Sequence, residues 1–156
     1  MPKFRVPVED YKFLFKHVFD MEANYKSLDC ADDFSVDILE AILEEAAKFS
    51  ENELAPLYQS GDEEGCSLKD GVVTTPSGFK EAYTKFIEGG WTSLTGEPDL
   101  GGQGLPSSVS LAVNEMLTTA NWAWAMYPGL SEGAVATLES HGTEQQKKDY
   151  LPKLID

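Results

Sequence analysis

The chain has 156 residues, 42% of them hydrophobic and 25% charged, which suits one domain burying about two-thirds of its unfolded surface and excludes a wholly disordered polymer. Twelve Lys and Arg against 27 Asp and Glu leave a net charge of -15, a field that repels phosphate backbones, so nucleic acid is excluded as a partner. No apolar run reaches the roughly 18 residues of a spanning helix, and residues 1–7 lack the apolar stretch of a secretory leader; a cytoplasmic chain with no membrane span is expected.

In residues 8–21, Tyr11, Leu14, Phe15, Val18 and Phe19 recur at three- and four-residue intervals, with Glu9 and Asp10 where the first turn of a helix favours acids. An amphipathic helix is predicted there. Ser35 precedes a long helix over residues 36–57, apolar at Val36, Ile38, Leu39, Ile42, Leu43, Ala46, Ala47, Phe49 and Leu54 and solvated on its glutamate-rich face, until Pro56 kinks or stops it. Residues 59–75 carry Gly61, Gly65, Asp70 and Gly71 and read as loops, with room for a small hairpin at Val72 and Val73. Pro76 occupies the first turn of a predicted third helix faced by Phe79, Tyr83, Phe86 and Ile87 and ended by Gly89 and Gly90.

Residues 91–106 hold four glycines and two prolines in sixteen positions, which no regular helix or strand tolerates, so a structured loop is expected. Val109, Ala112, Val113, Met116 and Leu117 then give a fourth helix over residues 108–121. Residues 122–140 contain only two charges, Glu132 and Glu139, and are apolar on more than one face. They read as the central buried element, broken or bent by Pro128 and Gly129 and ending at His141 and Gly142. Thr143 and Gln146 have capping-box spacing ahead of Tyr150, Leu151, Leu154 and Ile155, with Pro152 ending that last helix early. Six helical segments with almost no strand predict an all-α helical bundle, and residues 142–156 read as a domain boundary.

Residues that carry chemistry are sparse. Cys30 and Cys66 are too few for a disulfide framework and lack metal-ligand spacing, so they read as free thiols; His17 and His141, far apart, nominate neither a metal site nor a dyad. Gly101, Gly102 and Gly104 invite comparison with a phosphate-cradling loop, but no strand precedes them and no Lys-Ser or Lys-Thr pair follows, which favours a tight surface connection. Trp122, Trp124 and Tyr127 read first as core aromatics. The small residues Ala123, Ala125, Gly129, Gly133 and Ala134 beside them nevertheless leave room for a long apolar guest.

Residues 86–106 (FIEGGWTSLTGEPDLGGQGLP), 113–119 (VNEMLTT) and 142–155 (GTEQQKKDYLPKLI) together resemble, in order and spacing, the N-terminal helical domain of flavin-dependent acyl-CoA dehydrogenases. Residues 7–19 and 62–79 resemble a subfamily with an extra N-terminal extension. That likeness divides the chain into an extension helix and linker at residues 1–34 and the helical domain at residues 35–156, with the family's β-rich middle domain and C-terminal helical domain absent. For the parent protein it implies an FAD-dependent oxidoreductase of fatty acid β-oxidation. A carboxylate would take the α-proton of a fatty acyl-CoA thioester while hydride passes from the β-carbon to flavin N5. An acyl-CoA substrate, an electron-transferring partner and a homo-oligomeric state are implied with it.

In the family the catalytic glutamate and the flavin-contacting runs belong to the absent parts. The resemblance therefore implies no catalytic, cofactor-binding or metal-binding residue in this chain, which is expected to be colourless and inactive alone. What the N-terminal domain supplies is one wall of the acyl-chain cavity. Ungapped matching puts the closed end of that cavity at Gly129, Leu130 and Gly133, with Tyr127 beside them. Gly129 stands where medium-chain members have a glutamate, which implies a deeper or wider pocket and a long or bulky acyl group. The competing expectation is a stand-alone helical module that binds an apolar ligand or a protein partner through the same face; the isolated chain is expected to pair with itself through the surface the other domains would cover.

Overall fold

The computed structural model describes residues 3–27 and 35–155, so Cys30 lies outside the described residues. These residues form eight α-helices and one hairpin: α1 Val8–Phe13, α2 Met21–Tyr25, α3 Val36–Phe49, α4 Leu57–Glu64, β1 Ser67–Lys69, β2 Val72–Thr74, α5 Phe79–Glu88, α6 Ser107–Ala120, α7 Trp122–His141 and α8 Glu144–Ile155. The architecture is all-α, as the helical spacing predicts.

The core fills the space between α3, α5, α6 and one side of α7. Leu39, Leu43, Leu54, Phe86, Val109, Val113, Met116, Leu117 and Trp124 are each no more than 1% exposed. Burying each such side chain is worth about 1.5–3 kcal/mol, so their helical periodicity is what selects these faces. Trp124 is the hub. Its ring lies 5.4 Å from Phe86, 6.0 Å from Phe49 and 6.2 Å from Tyr83, and its indole N–H donates to the Phe79 carbonyl at 3.1 Å. The ring is thus buried without orphaning its donor.

Several elements depart from the sequence expectation. The predicted first helix passes from α1 into a π-helical turn at Leu14–Val18 and breaks at Asp20, whose φ of 45° cannot continue a right-handed helix. The helix expected over residues 36–57 leaves α3 through a second π-helical turn, Ser50–Leu54. Pro56 then caps α4, so part of the expected loop is helical; at a helix start the missing proline N–H removes no bond. The hairpin forms on Asp70 and Gly71, at φ 51° and 79°, the two-residue turn whose twist matches that of paired strands. Pro76 lies outside α5, because Gly78 at φ 85° intervenes and the helix begins at Phe79.

Two prolines do not act as expected. α7 runs unbroken through Pro128 and Gly129, and α8 continues through Pro152 to Ile155. A proline inside a helix costs about 3 kcal/mol. Pro128 is itself buried, and Leu151 and Ile155 flank Pro152 at 0% and 1% exposure, so tertiary packing offsets that cost. Nor is α7 a central buried element, for only Trp124, Ala125 and Pro128 along it are buried. The capping box does form: Thr143 N–H donates to the Gln146 side chain at 2.9 Å and Gln146 N–H to Thr143 Oγ1 at 3.3 Å.

The N-terminal segment belongs to the same core. Val6 and Tyr25 are buried in it, the Val6 N–H donates to Glu51 at 3.0 Å beside an Arg5–Glu51 ion pair, and the Tyr25 and Ser108 hydroxyls share a 2.7 Å hydrogen bond. Lys12 bridges to Glu44 at 2.6 Å, with Glu9 and Glu40 at 3.7 and 3.6 Å. Burial of Tyr11, together with the nearby Glu115 carboxylate of α6, pushes its pKa up to about 12.

Candidate functional site

The face that organises the site is set by how α7 begins. Asn121 is 1% exposed; its Oδ1 accepts from the Trp124 N–H at 3.1 Å and its Nδ2 donates to the Leu54 carbonyl at 3.3 Å. One side chain therefore caps α7 and ties it to the end of the second π-helical turn. With that rotation fixed, the step of about 100° per residue turns Trp124, Ala125 and Pro128 inward and Trp122, Met126, Gly129, Leu130 and Gly133 outward.

The outward side is apolar and exposed: Trp122 63%, Met126 49% and Leu130 72%. Both charges of the helix lie on the inward side. Glu132 accepts from Asn114 Nδ2 at 3.0 Å; burial raises its pKa and the Asn114 amide opposes that rise. Glu139 is pushed up by burial and by the Glu97 carboxylate, against an opposing pull from Lys147. Its Oε1 is buried without a hydrogen-bond partner among the described residues. Both carboxyls line a cavity of about 210 Å³ with Thr92, Thr95, Ser110 and Ser131, between the 91–96 loop, α6, α7 and α8. α7 thus carries apolar residues on both sides and keeps its two carboxyls on the inward one.

Of the residues expected to wall a pocket, Gly129 and Leu130 come together in a groove of about 300 Å³ between α6 and α7, shared with Asn114, Thr118, Trp122, Met126 and Glu132. Gly133 lies one turn further along the same exposed side. Tyr127, 39% exposed, faces another way: it meets Phe79 edge-on at 6.3 Å, stands 3.8 Å from Cys66 Sγ, and lines a different groove. A Cβ added at Gly129 or Gly133 would meet nothing within 4 Å, and neither has a positive φ. Neither glycine is required by the fold of this chain.

The inward pair Glu132 and Glu139 was not singled out by sequence reasoning. Their seven-residue spacing carried the signal, because two charges two turns apart share one side of a helix and leave the other side neutral. The glycine loop offers no phosphate cradle. Its amides are engaged internally, Gly102 N–H on Glu97, Gln103 N–H on Ser93 and Gly104 N–H on Gly96, at 2.8–3.0 Å. At Gly102 a Cβ would lie 2.0 Å from the Gly96 backbone, so glycine is there to let two strands of the loop touch. His17 and His141 are both exposed, and no cluster of three metal-ligating side chains occurs among the described residues. No helix among those residues is long and apolar enough to cross a membrane.

An all-α core with an exposed apolar side on α7 and a self-bonded glycine loop defines the class, and comparison with known proteins gives it a family. The profile of the acyl-CoA dehydrogenase N-terminal domain matches residues 37–156, and the chain belongs to that family. It is 36% identical to 3-methylmercaptopropionyl-CoA dehydrogenase of Ruegeria pomeroyi over 97% of this chain and 26% of that protein. Identity is 32% to the broad-specificity linear acyl-CoA dehydrogenase FadE5 of Mycobacterium tuberculosis, over 74% of this chain and 19% of that one. It is 28% to butyryl-CoA dehydrogenase of Syntrophomonas wolfei, over 94% and 24%. The chain thus spans about a quarter or less of the length of these relatives.

Proposed function

We propose that this chain is the N-terminal helical part of an acyl-CoA dehydrogenase that oxidises the Cα–Cβ bond of a fatty acyl thioester, and that the outward side of α7 walls its acyl-chain cavity. One observation carries the reading. Gly129 and Gly133 each cost a helix interior about 1 kcal/mol relative to alanine, yet neither backbone conformation nor any neighbour within 4 Å demands them. Their use is to leave volume outside the helix, beside Trp122, Met126 and Leu130, and a groove whose lining is mostly apolar suits an alkyl chain.

FAD would supply the hydride acceptor in the parent protein. Neither surface suits a flavin pyrophosphate: the outward side of α7 offers no cation, and the glycine-loop amides are already bonded. In this reading the flavin and the proton-abstracting carboxylate come from the remainder of the parent, along with contacts to an electron-transferring partner. This chain's part is to shape the cavity, to fix the depth at which the alkyl end stops, and to exclude water from it. Alone it would be colourless and inactive, with a homo-oligomeric parent.

The full-length gene product tests this. It should purify with flavin absorbance and oxidise long or bulky acyl-CoA thioesters. Gly129→Glu, which fills the open space with a charged side chain, should move the preference to shorter chains and lower kcat/KM for long ones by about tenfold or more. A chain-length profile unchanged by Gly129→Glu, or a reading frame that stops at Asp156, would overturn it.

A further inference from the structure

A second groove, of about 580 Å³, is lined by Val73, Thr74 and Thr75 at the end of the hairpin, Phe79, Lys80 and Tyr83 of α5, and Tyr127. Its rings do not form a parallel slot. Phe79 and Tyr127 meet at 86°, which makes a curved apolar wall suited to an aliphatic body rather than a grip on a flat heterocycle. The hairpin that closes one side adds nothing to the core: all six strand residues are exposed, Val73 at 65%.

Charge decides which aliphatic body fits. Lys80 is the one charged side chain among the lining residues of this groove, and it makes no ion pair among the described residues. Glu64, at the end of α4, is occupied by the Ser77 N–H and hydroxyl, each at 2.9 Å. An unclaimed ammonium beside an apolar wall matches one negative head on an alkyl body, while the net charge of -15 disfavours more highly charged ligands.

We propose that this groove binds an aliphatic monocarboxylate, its chain against Val73, Phe79, Tyr83 and Tyr127 and its carboxylate on Lys80. The site lies apart from the groove at Gly129 and Leu130 and calls on neither flavin nor thioester chemistry, so it stands or falls separately from the acyl-wall reading.

The test titrates the 156-residue chain with sodium dodecanoate, and separately with dodecyltrimethylammonium, below their micellar concentrations, following backbone amide resonances. Lys80→Gln and Val73→Asp are titrated alongside; both positions are exposed, so folding is not at stake. The expected result is one-site saturation by dodecanoate, with the largest shifts at Val73, Phe79, Tyr83 and Tyr127. Affinity should fall about fivefold in Lys80→Gln and at least as much in Val73→Asp, with weaker binding of the cationic amphiphile. Absence of saturation, equal affinity for the two amphiphiles, dodecanoate affinity unchanged in both variants, or shifts centred on Trp122, Met126 and Leu130 would each overturn it.

Discussion

Gly129 and Gly133 isolate, at the scale of single residues, what function asks of a helix beyond its own stability. With helical φ and open space where a methyl group would sit, alanine at either site removes backbone entropy from the unfolded chain and adds no clash. Gly129→Ala and Gly133→Ala should each raise Tm of this chain by about 2–4 °C in a thermal melt, and the double variant by roughly the sum. A fall in Tm would mean that something already packs on that side. Glu132 gives the complementary case. Its folded pKa lies above the ordinary carboxylate value because burial outweighs the Asn114 amide. The unfolded chain therefore loses the proton first, and the stability associated with a protonated Glu132, present below its unfolded pKa, is lost as pH rises through the folded value. Glu132→Gln keeps an acceptor for Asn114 and removes the charge. It should melt about 2–4 °C above the parent chain at pH 7, the gap closing near pH 4; a constant gap would rule out ionisation as its cause.

Among the elements, Asn121 does the most with one side chain, capping α7 and bonding the Leu54 carbonyl from a buried position. Asn121→Ala should cost about 1–3 kcal/mol by urea unfolding, and Asn121→Ser, which keeps only the cap, should fall between. Equal stability of all three would mean that neither bond matters. The helices themselves were legible because α3, α5 and α6 repeat apolar residues at three and four positions and bury that side. The π-helical turns were not, since one extra residue in a turn leaves no mark in composition. Pro128 and Pro152 misled because local propensity cannot anticipate the packing that offsets it. Of the residues named from sequence for a pocket wall, Gly129 and Leu130 share one groove, whereas Tyr127 lines another. Proximity along the chain says nothing about direction around a helix, where one residue is about 100°.

For the molecule as a whole, the decisive property is that a chain of net charge -15 keeps one helix of about 30 Å without any charge on its outward side. Contiguous exposed apolar area of that kind marks an interaction surface. In the proposed parent that surface meets the acyl chain and the remaining domains; alone, the chain has its own copy as the available cover, and the expectation is reversible self-association through α7. Two opposing terms set its salt dependence. Burial of Trp122, Met126 and Leu130 favours the pair, and repulsion between two chains each at -15 opposes it. Salt shortens the screening length from about 8 Å at 0.15 M to about 3 Å at 1 M, weakening only the repulsion. Sedimentation velocity should therefore show association that strengthens with salt and with concentration. An interface held by ion pairs would respond in the opposite sense. Leu130→Glu, at a site 72% exposed, should abolish the association and leave Tm unchanged, because it places a charge in the interface without entering the core. Loss of Tm in that variant would mean instead that Leu130 supports the fold, and the outward side of α7 would no longer be the surface in question.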